Sequence, residues 1–138
     1  MNATVLIRAM RAVNHNENLI LPLQKASSLG LGIRPYSSLV PFSKGDIPYD
    51  EELFVYTNTG GLSTSCPPKT SLPPHCLSGN RDLFCIDTSI LEEMSLKFRQ
   101  DPIKSTHFFI EPIRKMLLQD YEQSISNTLP YWKLYNGE

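Results

Sequence analysis

Cysteine, net charge and long apolar runs are all scarce in this 138-residue chain, and each scarcity excludes something. Cys66, Cys76 and Cys85 are odd in number and none forms a C-x-x-C pair, which argues for reduced thiols rather than a disulfide framework. With His75 they offer the residue types of a mixed zinc site, but their irregular spacing across Pro67-Pro68 and Pro73-Pro74 disfavours one. The 13 basic and 14 acidic side chains leave a net charge of -1, scattered rather than blocked. No basic stripe is therefore present to neutralise a nucleic-acid backbone, and nucleic acid is not expected as a partner. No stretch approaches the roughly 20 apolar residues of a membrane-spanning helix, and the opening Met1-Asn2-Ala3-Thr4 lacks the parts of a secretory signal. The expectation is a cytoplasmic protein, exported if at all by a signal-peptide-independent route. Four catalytic signatures are absent as well: G-x-S-x-G, the Walker loop, G-x-G-x-x-G and H-E-x-x-H.

What is present reads as one domain over residues 1–138. Residues 3–10 alternate as a strand with Leu6, Arg8 and Met10 on one face. An arginine there either snorkels from an edge strand into water or serves a ligand. Residues 22–29 before Gly30 fit a short helix with proline in its first turn. Prolines and glycines make residues 30–50 a covering loop, and two Pro-Pro pairs favour extended backbone over 66–80. Strands are expected at 83–86, 96–100 and 105–110. From Pro112 to Leu129 the apolar residues Ile113, Met116, Leu117, Tyr121 and Ile125 recur at helical spacing, predicting a long amphipathic helix. The sum is an α+β fold of mainly antiparallel strands with a few flanking helices.

The run Leu53-Phe54-Val55-Tyr56 breaks at Thr57-Asn58-Thr59-Gly60-Gly61 and resumes as Leu62-Ser63-Thr64-Ser65. Paired glycines beside hydroxyl side chains expose backbone to which a nucleotide can come close, as well as serving an ordinary turn. His107 and Glu111, four apart on one strand, share a face with Phe109 between them. They offer an imidazole and a carboxylate, unless the histidine is a core residue and the acid favours the N-terminus of the following helix. A pairing of Cys85 with His107 or His75 is disfavoured because Cys85 sits in a core strand run.

The strand ending Ile7-Arg8-Ala9, the Thr59-Gly60-Gly61 turn with its serines, Leu96-Lys97-Phe98-Arg99-Gln100-Asp101, and Thr106-His107-Phe108 through Pro112 to Met116 occur in a telling order. That order, over about residues 4 to 128, resembles the ADP-ribosyltransferase-like toxin family of the type six secretion exported effector two. The resemblance implies a compact ADP-ribosyltransferase-like fold, NAD as cofactor, action in the cytoplasm of a target cell, and an immunity protein that covers the cleft. By matching position it implies catalytic roles for Arg8, Ser63 and His107, and Glu111 is the acid that would serve to accept a ribose hydroxyl proton. It also implies cofactor contacts from Arg8, Ser63 and Thr64, and the adjoining Tyr56, Gly60 and Gly61 are expected to contact the cofactor at the exposed backbone of the turn. A planar, permanently charged guanidinium suits the phosphates. Wider transferases carry a paired-acid signature where this chain has only Ile110-Glu111-Pro112. Two other readings stand beside it: a catalytically inactive binding module on the same fold, anchored by Tyr131, Trp132 and Tyr135, and a nuclease-like toxin using His107 with Lys97 or Arg99.

Overall fold

A computed structural model describes residues 4–16, 19–22, 31–77 and 81–135. The alternating first segment becomes β1 (Val5–Met10), an interior strand rather than an edge. β2 (Ala12–Asn16) and β3 (Leu19–Pro22) form a hairpin, and β4 (Pro35–Ser37) and β5 (Ile47–Tyr49) a short parallel pair inside the expected covering loop. β6 (Phe54–Val55) and β7 (Leu62–Ser65) lie either side of the glycine turn. Next come β8 (Asp82–Asp87), β9 (Leu96–Gln100), β10 (His107–Pro112), β11 (Met116–Leu117), α1 (Leu118–Asn127) and β12 (Lys133–Leu134). The fold is mixed, with mostly antiparallel strands, and no described helix is long and apolar enough to cross a membrane.

The main sheet runs β12-β8-β1-β7-β10-β9. Residues directly opposite one another in an antiparallel pair point to the same face. Leu6, Phe84, Ile86, Leu62, Phe108, Ile110 and Leu96 thus share the face that buries Tyr121 and Ile125 of α1. The other face carries the cross-strand row Lys133, Cys85, Ile7, Ser65, His107.

Two expectations change. The helix read from Pro112 begins only at Leu118, because β10 continues through Pro112 opposite Leu96, and Met116-Leu117 pair with β6. The segment 66–77 is not wholly extended; it winds into two 3-10 turns, Lys69–Ser71 and Pro74–Leu77. The helix read over 22–29 lies outside the described residues except Pro22, which ends β3.

Candidate functional site

The site begins as a defect in the sheet. β1 holds β8 through six residue pairs and β7 holds β10 through four, but β1 and β7 share only Ile7 opposite Ser65. Beyond that pair the strands part, and freed backbone groups need other partners. A cavity of about 690 Å³ opens there, lined from β1 and its end by Arg8 and Arg11, from β7 by Ser63, Thr64 and Ser65, and from β10 by His107. Arg34, just before β4, and Asp46, just before β5, are added, and the proline-rich segment adds Cys76. Arg81, just before β8, completes four arginines facing one carboxylate.

Arg8 spans the gap. Its Nη1 donates to the Ser63 carbonyl at 2.6 Å, the bond that ties β1 to β7 past their last pair, and Nη2 reaches the Leu31 carbonyl at 3.4 Å. Nε is buried without a hydrogen-bond partner. The side chain therefore turns inward and does not snorkel. Burial lowers its pKa from the ordinary arginine value, with the negative charge of Asp46 opposing that shift. Asp46 is itself engaged: its carboxylate accepts from Arg34 Nε and Nη2 and from the Arg34 backbone N–H. That bond raises the Arg34 pKa.

Thr64 Oγ1 donates to the Phe108 carbonyl at 3.0 Å, so this buried hydroxyl serves the sheet. His107 is held by the hairpin between β9 and β10. Its Nδ1 lies 2.9 Å from Asp101 Oδ2, and its ring meets Phe109 edge to face at 4.7 Å. Asp101 is oriented in turn, since Oδ1 accepts from Ile103 N–H and its own N–H donates to the His107 carbonyl. These bonds, the Ile103 N–H first and then the imidazole, hold the Asp101 carboxyl below the usual carboxylate pKa.

Arg8, Ser63, Thr64 and His107 thus line a single cavity; Tyr56, Gly60, Gly61 and Glu111 do not. Glu111 is fully buried elsewhere, paired with Arg99 at 2.9 Å and Lys97 at 3.4 Å while accepting from Asn58 N–H. It holds the turn before β7 and does not line the cavity, which removes it from the chemistry there. Lys97 and Arg99 answer Glu111 rather than His107, so the nuclease reading loses its cations. Tyr56 donates its hydroxyl to Asp50.

Gly60 and Gly61 do accept close approach, but by the chain itself. A Cβ on Gly60 would strike the Asp46 carbonyl and one on Gly61 the Ile110 carbonyl. Cys85 stands three strands from His107 along the row, about 14 Å away at ordinary strand spacing, and burial pushes its thiol pKa up. Trp132, read as a tail anchor, is buried with Nε1 donating to Thr128 Oγ1 at 3.0 Å. Arg11, Arg34, Asp46 and Arg81 escape sequence reasoning because they come from separate loops with no shared motif. Asp101 carried a signal: it and His107 close one short polar hairpin. No family model, curated protein or solved structure matches this chain.

Proposed function

We propose that the cavity between β1 and β7 binds NAD, and that the chain is an ADP-ribosyltransferase-like toxin domain acting in the cytoplasm of a target cell. The observation that carries this reading is Arg8. Its Nη1 is committed to Ser63, whereas the opposite edge of the guanidinium presents Nε, with no partner, beside Nη2, whose bond to Leu31 is long. That edge is a side-on fork of the kind that takes two phosphate oxygens. A desolvated cation with an unanswered donor gains more from an incoming anion than a solvated one would. The cavity volume of about 690 Å³ falls within the roughly 300–1,000 Å³ usual for cofactor sites. Arg11 and Arg81 add positive charge for a diphosphate. The residues fit the cofactor.

When bound, NAD supplies a ribose–nicotinamide bond whose rupture leaves positive charge on the ribose. Arg8 fixes the phosphates, and the β7 backbone on which Ser63 sits is held in place by the same guanidinium. No acid from Glu111 reaches the cavity, so positioning is what these residues contribute. The motif order supports the toxin assignment, together with an immunity protein that closes the cavity mouth.

Calorimetry with NAD and an assay for released nicotinamide test the reading. Arg8→Met is expected to weaken NAD binding about 10- to 100-fold, the loss of one or two charge-assisted hydrogen bonds. Unchanged NAD affinity in that variant, or no affinity in the parent protein, overturns it.

A further inference from the structure

With Glu111 sealed in its ion pairs, few of the described residues at the cavity could take a proton. Asp46 is held by Arg34, and Cys76 is a lone thiol. His107 differs from both. Its Nδ1 is turned toward Asp101, which does not line the cavity, whereas His107 does. A carboxylate bonded to Nδ1 fixes the proton on that nitrogen and leaves Nε2 with a lone pair. Phe109 packs against the ring and limits its rotation. Asp101 is locked in turn by Ile103 N–H at 2.8 Å. Nucleophile activation elsewhere uses the same logic, a base oriented by a third group.

We propose that Asp101 and His107 form a base dyad that activates a neutral hydroxyl or water as the acceptor of ADP-ribose, an inference that rests on the NAD reading above. The acceptor O–H gives its proton to His107 Nε2. Its oxygen forms the new bond to the ribose carbon as the bond to nicotinamide breaks, and the electron pair of that bond leaves with nicotinamide. The Asp101 carboxylate stabilises the resulting imidazolium and is not itself protonated. Asp101 is the positioning residue and His107 the catalytic one. The lining supports the acceptor class: among the described residues, Arg8, Arg11, Arg34 and Arg81 against Asp46 repel a cationic acceptor such as a guanidinium. An O–H nucleophile needs a base, and the dyad supplies one.

Asp101→Asn separates this role from hairpin structure. The amide oxygen can still accept from Ile103 N–H, while the amide N–H₂ now donates to Nδ1 and drives the ring proton onto Nε2. The test measures, on parent and variant, NAD affinity by calorimetry, kcat and KM for nicotinamide release with water as acceptor, and the His107 tautomer by nitrogen-15 NMR. Expected are a switch from the Nδ1–H to the Nε2–H tautomer, kcat reduced about 100-fold, and NAD affinity and KM within twofold of the parent. A tautomer switch with parental kcat overturns the dyad, as does a loss carried by KM or by NAD affinity. A parent that binds NAD but releases no nicotinamide overturns the dyad and leaves NAD binding standing. A parent that does not bind NAD overturns both.

Discussion

Tyr121→Phe removes one oxygen from the centre of the protein, and the structure states what that oxygen holds. Tyr121 is fully buried on α1, and its hydroxyl accepts from Leu62 N–H at 3.1 Å while donating to the Ile110 carbonyl. Leu62 and Ile110 face each other across β7 and β10 and are both shut off from water. Phenylalanine fills the same space, so no cavity term enters. The amide of Leu62 has one proton to give and loses its acceptor, at about 1–3 kcal/mol. The Ile110 carbonyl keeps a second lone pair and loses less, about 0.5–1 kcal/mol. The expected destabilisation is about 2–3 kcal/mol, a large share of the roughly 5–15 kcal/mol by which a domain is stable. Urea denaturation should show a lower midpoint at unchanged slope, and the Leu62 amide should lose hydrogen-exchange protection. Burial raises the phenol pKa far above its ordinary value, so the loss should be the same from pH 6 to pH 9. A midpoint shift worth less than about 0.5 kcal/mol refutes the claim that buried backbone groups depend on this hydroxyl.

Gly61→Ala should cost about 3 kcal/mol or prevent folding, because the added Cβ meets the Ile110 carbonyl, a backbone atom with nowhere to move; a urea midpoint near the parent's contradicts this. Glu111→Gln should destabilise by about 3 kcal/mol, at the low end for a broken buried pair because Lys97 and Arg99 retain some solvent, while NAD affinity stays within twofold by calorimetry. Asp50 accepts from Tyr56, a bond that lowers the carboxyl pKa and raises the phenol's. The carboxylate's share of stability is therefore present above about pH 4 and lost as pH falls through its depressed folded value. The phenol's share is present below about pH 10 and lost as pH rises through its raised folded value. Tyr56→Phe should flatten both limbs of a plot of urea midpoint against pH, and parallel curves for parent and variant would refute the assignment.

Much of the sheet was legible because its strands announce themselves locally. The alternation in β1, the apolar run of β8 and the wet-faced β9 each satisfy a strand pattern within about six residues. The start of α1 was not legible, for a physical reason. Ile113, Met116 and Leu117 stand at helical distances from Tyr121 and Ile125, yet Met116 and Leu117 find partners in Val55 and Phe54, about sixty residues away. A long-range pairing overrides a local period, and no window of sequence contains both strands. The glycine pair misleads similarly: sequence says that something must come close, but only the fold says that it is Asp46 and Ile110. Arg8, Ser63 and His107, singled out from sequence, line one cavity, whereas its three further arginines carried no sequence signal.

A sheet that parts between two central strands gives up ladder hydrogen bonds, and here one side chain compensates. Arg8 gives Ser63 its short bond and so closes the gap from within, at the cost of burying a cation whose Nε stays unanswered. Replacing both strands' divergence with a continuous ladder would remove the cavity and that cost together. The same guanidinium is a strut on one edge and leaves Nε without a partner on the other. Its long bond to Leu31 is the weakest of its contacts, so an anion seated on the fork competes first with that carbonyl. Anion binding should therefore be felt in the segment running from Leu31 to Arg34, which lines the same cavity and leads directly into β4. The order of bond strengths around Arg8, short to β7 and long to the covering loop, makes the loop the part that yields and the sheet the part that holds.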